Sequence, residues 1–503
     1  MSDAKQAEGS DNLQKAAAFM VGFSLFQLFL LVVSASKFSA GRFHIGQSYV
    51  ALYINRMIIS FRTCSLFGIT LMTLYDQFIG YGISAVSSVL AVLISSLYAI
   101  ILFVYCIGGT QGHITLYYWV IVATSFIHGL STVCVSNVAS GDIAFFLGSM
   151  PVAGILMSLY HITFLSAAEK LRISNVNYWI VSWQLAMSIV LSIISAIVWI
   201  VAYSTPKQPA GGSATGSSGN INKDPFFTAL IQALSPILMV SFGFGLQNAF
   251  YPAIAPYKLA GVKNGYNISL VVLFTGAIPP LTILCLKEHK IGPNKPWNQS
   301  WHWHFGWIFY IVELICGILF IITLHYPNWS ISRRIINDVR IIGVLTVVYD
   351  FCVQATKGIG ANGAAMQGNG KHPKMSTFTT FFYSFIQLSI AFMGDGYIRT
   401  YRKYEHRDDW PTKHCSTKRA FWFWIWSATK VSYHTLGTAF TRDLRTEILG
   451  KKSHLFIVYE DAPPEDEDPL VDLPFIHKEP THDNNFTGIH IFHSSPVINV
   501  VFS

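Results

Sequence analysis

Charge is what this chain has least of. Asp, Glu, Lys and Arg make up 12% of its 503 residues, where a soluble protein carries about 25%. Hydrophobic residues reach 52% and aromatics 15%, and mean hydropathy is +0.43. That balance excludes an ordinary soluble domain and points to a chain embedded in lipid. Cysteine is sparse and unpatterned: seven residues, an odd number, six of them inside apolar stretches and no CxxC pair. Neither a disulfide frame nor a metal site is implied. Catalytic signatures are missing too, with no GxSxG, no Walker loop and no HExxH. The only dense histidine run, Trp301-His302-Trp303-His304, lacks the i, i+4 spacing of a ligand pair and reads as an anchor at headgroup level. The chain is therefore not expected to be an enzyme or to need a cofactor. Its formal charge of +8 is spread over short connections, which fits a membrane surface and gives no groove for nucleic acid.

What is present is a series of apolar runs. A helix needs about 20 apolar residues to cross the hydrocarbon, and eleven stretches qualify: 16–36, 57–79, 83–107, 114–138, 142–166, 177–203, 226–252, 266–286, 304–326, 338–358 and 376–398. The first is too long for the core of a cleaved signal. Arg56 and Arg62 precede or open the second, where long side chains are expected to snorkel to the headgroups. The expected fold class is all-α, a polytopic, multi-pass integral membrane protein. Its polar N-terminus is 1–15, a six-helix bundle occupies 16–203 and a five-helix bundle 226–398. Between them residues 204–225, rich in Gly and Ser, read as a flexible tether. Residues 399–440 hold a charged segment and then an aromatic, Lys-flanked helix, either interfacial or a twelfth span. The acidic, proline-bearing tail 441–503 reads as disordered. Lys and Arg fall almost equally on the two sides, the positive-inside rule slightly preferring an N-terminus away from the cytosol; orientation is left open, no particular organelle is read, and nothing sets an oligomeric state.

The most informative stretch is 338–375. It carries Asp350, Gln354 and Lys357 at spacings of four and three, hence on one helical face. A charged group at mid-bilayer costs ~3 kcal/mol on insertion scales, so this face is expected to line a polar route, with Asp350 and Lys357 as a gating pair. The rival reading ends the helix near Phe351 and leaves Gln354 onward as a loop. Other polar residues within spans are Gln27, His128, Asn137, His161, Gln184, Gln232, Gln247, Asn248, Glu313, Gln387 and Asp395. Uncharged donors and acceptors among aromatics suit a small neutral, partly planar solute, with Gln27, Gln184, Asp350, Gln354 and Asn362 as candidate contacts.

Three passages resemble the equilibrative nucleoside transporter family. Residues 147–155 resemble its fifth-helix pattern, Ala153 and Gly154 matching while Ser149 and Met150 stand where the family has Gly-Gln. Phe250-Tyr251-Pro252-Ala253 is similar to the Phe-Pro-Ala step closing its seventh helix. Ala361-Asn362-Gly363, followed by Pro373-Lys374, resembles its tenth-helix Ser-Asn-Gly-Tyr and the Pro-Lys beyond. The family's first-helix Pro-Trp-Asn and eighth-helix Asp and Arg have no counterpart. The resemblance implies a major-facilitator-like fold and facilitative passage of a nucleoside or nucleobase by alternating access. The apicomplexan Tpr-related proteins share a compatible layout. Two other readings stay open: a carrier of sugars or of a proton-coupled metabolite, titrating at Asp350 or Glu313, and a non-transporting protein with a recruiting tail.

Overall fold

The computed structural model describes residues 2–109, 112–204, 225–367, 373–405, 410–438, 440 and 443–449. The tether expected at 204–225 lies outside them except at its two ends, and residues 450–503 of the expected tail lie outside them too. Helices account for nearly all of the rest, and no strand occurs among the described residues.

The first part contains α1 (Ser2–Val33), a short α2 (Ser36–Arg42), α3 (Gln47–Phe78), α4 (Ile83–Cys106), α5 (Ile114–Val138), α6 (Ile143–Leu171) and α7 (Val176–Ser204). The second contains α8 (Phe226–Phe250), α9 (Leu259–Thr275), α10 (Ile278–Glu288), α11 (Trp307–His325), a short α12 (Ser330–Asn337), α13 (Val339–Ala364), α14 (Pro373–Tyr404) and α15 (Thr417–Thr438). Ten segments among the described residues are long and apolar enough to cross a membrane. Stretches seven and eight of the sequence share one of them, Phe226–Glu288. They are separated by a break in direction: Tyr251 leaves the helix in an extended conformation and a π-helical turn spans Ala253–Lys258. The protein is an integral, multi-pass membrane protein. Its outer surface agrees with that, because large apolar side chains such as Phe103, Val190 and Ile308 are 57–66% exposed along the spans; such a surface suits acyl chains and would be a liability in water.

Three boundaries differ from expectation. Residues 2–15 continue α1. α14 runs past residue 398 to Tyr404, because Arg399 is held by Asp395 one turn earlier, Nε to Oδ2 2.8 Å. α3 starts at Gln47, ten residues before the expected stretch. Arg62 is therefore ten residues, about 15 Å, inside the apolar segment Leu52–Phe78, near its middle and not at its end.

Small residues set the helix spacing. A Cβ on Gly360 of α13 would lie 2.7 Å from the Pro236 carbonyl oxygen of α8. Ala229, Ala233 and Ile237 of α8 pack with Ala364 and Met375 in one apolar cluster. Ala153 joins Phe23, Leu30 and Met157 in another, with Leu273 of α9 against it. A Cβ on Gly154 would stand 3.3 Å from Leu273. These are the close approaches that replace hydrophobic driving force inside a bilayer.

Candidate functional site: a cavity between the two helix groups

Where α1, α3 and α6 of the first group face α8, α9 and α13 of the second, the packing leaves a cavity of about 600 Å³ of atom-free space, the open solvent at its mouth included. From the first group it is lined by Phe26, Phe29, Leu30 and Val33, by Arg62, and by Met150 and Pro151. The second group supplies Phe244, Gln247 and Tyr251, then Val272, Leu273 and Gly276, and finally Asp350, Gln354 and Lys357.

The polar face of α13 is built by unbroken helix. α13 continues through Gln354 and Lys357 to Ala364, so the rival loop does not form and the three side chains share one wall. Asp350 is 3% exposed and accepts from Gln247 Nε2 at 3.2 Å and Gln354 Nε2 at 3.5 Å. Room for this carboxylate comes from Gly276, at the break between α9 and α10: a Cβ there would lie 2.5 Å from Asp350 Oδ2. Lys357 does not pair with Asp350. Its Nζ donates to Met150 Sδ at 3.8 Å and stands 4.3 Å from the Phe244 ring centroid. The proposed pair is apart in this conformation. Met150, at the position of the resemblance's glutamine, offers the amine only a weak acceptor.

Arg62 is the wall residue that sequence reasoning assigned elsewhere. Its guanidinium lies over Phe29 at 4.6 Å, Phe61 at 5.9 Å and Phe244 at 6.0 Å. Its Nε has no hydrogen-bond partner. The signal was an arginine whose surrounding sequence, from Gln47 onward, could continue a helix upstream.

The other candidates lie elsewhere. Gln184 is 0% exposed; its Oε1 faces His161 Nε2 at 3.0 Å, and His161 Nδ1 meets the Tyr266 hydroxyl at 2.9 Å. That chain ties α6, α7 and α9 together. Asn362 donates to Gly358 of its own helix at 2.9 Å. Gly363 gives way to Trp297, whose ring atoms would be 2.5 Å from an added Cβ. Pro252 sits in the break after α8. Gln27 is buried with neither amide atom partnered, beside the cavity-lining Phe26 but not itself in the lining. Glu313 is 0% exposed on α11, both oxygens unpartnered, and does not line the cavity.

Polar contacts close the two groups on each other away from the cavity. Lys287 of α10 donates to the Gly141 carbonyl at 3.0 Å and pairs with Asp142 at 3.3 Å. Lys15 of α1 lies 3.7 Å from Glu288. Along α3 and α14, Asn55 donates to Asp395, and Asp76 accepts from Thr377 at 2.8 Å and from Asn137 of α5 at 2.9 Å.

No family model and no curated protein matches the chain. Among solved structures it is similar to a D-xylose–proton symporter, with 10% identity over 86% of this chain and 98% of that one and a TM-score of 0.49. A bacterial homologue of the human lysosomal transporter Spinster, inward-facing and unoccupied, shares 12% identity over 86% and 94%, with a TM-score of 0.43. The nucleoside transporter NupG shares 14% over 87% and 100%, with a TM-score of 0.41.

Proposed function

We propose that this protein is a facilitative solute carrier of major-facilitator-like arrangement, related to the equilibrative nucleoside transporters, that moves a nucleoside or nucleobase by alternating access. The observation that supports the reading is the cavity. It is lined from both helix groups, and it combines ring-bearing walls with a hydrogen-bonded carboxylate, the mix of apolar lining and a few polar groups usual for small-molecule sites. Asp350 and Gln354 are the solute contacts in this reading, and Phe26, Phe29, Phe244 and Tyr251 stack the ring. The links Lys287–Asp142 and Lys15–Glu288 would break when the halves rock apart.

The test is uptake by purified protein in liposomes, with a panel of nucleosides, nucleobases, sugars and amino acids. Saturable flux of a ring compound down its gradient, lost in Asp350→Ala, is expected. Flux of a sugar that rises as external pH falls would favour the proton-coupled alternative, in which a buried carboxyl such as Asp350 or Glu313 carries the proton. Absence of flux for every compound would overturn the carrier reading.

A further inference from the structure

The charge on the cavity wall is unbalanced. Arg62 and Lys357 both line it, and both stand within 6.0 Å of the Phe244 ring centroid. The one carboxylate in the wall, Asp350, already takes its hydrogen bonds from Gln247 and Gln354. Neither cation has an ion-pair partner among the described residues. The Arg62 guanidinium lies over the faces of Phe29, Phe61 and Phe244. Both cations are partly buried; a cation–π contact offsets part of the lost hydration, but a cation facing a cavity is best completed by an anion, and a guanidinium fork matches a carboxylate in two parallel hydrogen bonds.

From this placement, and resting on the carrier reading above, we infer that the solute is a flat ring compound bearing one carboxylate, held by Arg62 and Lys357 through the acid and by the phenyl walls through the ring. This replaces the neutral solute expected from the uncharged polar residues. One carboxylate suits two cations that already share the cavity with Asp350; a phosphate dianion would leave the wall overcompensated. Met150 then acts as a weak placeholder for Lys357 until the anion arrives.

Two pairs of probes isolate the charge, because each has the same ring with and without the acid: orotate against uracil, and nicotinate against nicotinamide. The readout is the thermal midpoint of the purified full chain in detergent. Both acids are expected to raise it at concentrations where the neutral partners leave it unmoved. In Arg62→Gln the ligand-free midpoint should rise, because an uncompensated charge is gone, while the response to the acids weakens about tenfold, the ~1.4 kcal/mol of one lost charged contact. A purely structural Arg62 would instead lower the ligand-free midpoint. Should Arg62→Gln not fold, Lys357→Gln carries the same test. Equal shifts from acid and neutral partner, or no shift from either acid, would overturn the inference. Liposome flux separates the two claims: transport of uracil or nicotinamide in preference to the acids refutes the anion and leaves the carrier standing. Acid binding without flux of any compound keeps the anion site and refutes the carrier.

Discussion

Gly276 holds its place because of what a methyl group would strike. Its added Cβ would meet Asp350 Oδ2 at 2.5 Å and the Val272 carbonyl oxygen at 2.9 Å, and neither can retreat without loss. Gly276→Ala is therefore expected to push the Asp350 carboxylate off Gln247 and Gln354. It should lower stability by about 1–3 kcal/mol, the usual cost of overpacking, and weaken ring-compound binding, read as thermal midpoint and binding isotherm of the purified protein. Gly343→Ala is the control on the same wall helix: its Cβ would find only Ile268 at 3.6 Å, an ordinary contact, so both readings should stay put. At this scale the sequence was informative where chemistry and spacing acted together. Asp350, Gln354 and Lys357 were legible as one face because steps of four and three fix their relation whatever the surroundings. Gln184 and Asn362 were not, since a polar residue's type says nothing about which neighbour claims it: His161 takes the first and the Gly358 carbonyl the second.

Elements were legible by length and hidden at their ends. The apolar runs located the spans, but α3 begins ten residues upstream of its run because the mixed sequence from Gln47 is held by partners no periodicity reveals. Tyr53, for example, faces Ser39 of α2 at 3.1 Å. That shift turned Arg62 from a surface anchor into a cavity residue. The same applies to α15, read as an interfacial helix or a twelfth span. It packs against α14, where Ser432 Oγ donates to the Phe392 carbonyl at 2.6 Å, and against the end of α11, where Trp424 stands edge-on to His325, 4.8 Å between centroids. A Cβ on Gly396 would fall inside contact distance of the Ala428 carbonyl oxygen, so the docking depends on that glycine. Gly396→Leu is expected to lift α15 away, and amide exchange across 417–438 should rise while α8 and α13 stay protected. Unchanged exchange in α15 would mean that its packing on α14 does not hold it.

At the scale of the whole molecule, what matters is which ends of the helices face the same water. Lys287, Asp142, Lys15 and Glu288 gather at one end of the bundle, and alternating access requires that end to open. With Cys285, which is exposed, replaced by Ser, the variant Asp142→Cys/Lys287→Cys joined by a reducible bifunctional thiol reagent should stop solute flux, and reduction should restore it. Persistent flux in the joined form would show that this end stays shut throughout transport. Sidedness itself was not fixed by the sequence, because Lys and Arg are shared almost equally between the two faces and the positive-inside rule gives only a slight preference. Geometry offers a sharper handle. Asn298 and Asn328 are both exposed, and between them lies the segment Trp301–His325, 25 residues long. Most of that segment is α-helix at about 1.5 Å per residue, enough to exceed the ~30 Å hydrocarbon thickness, so the two positions must reach opposite water phases. Each is changed singly to Cys in a background where the exposed Cys285 and Cys415 are Ser, and intact cells are treated with a membrane-impermeant maleimide. One position should label from outside, and the other only after the cells are opened. Labelling of both from the same side would mean that this helix does not cross, and the count of spans, the pairing of helix groups and the cavity between them would have to be redrawn together.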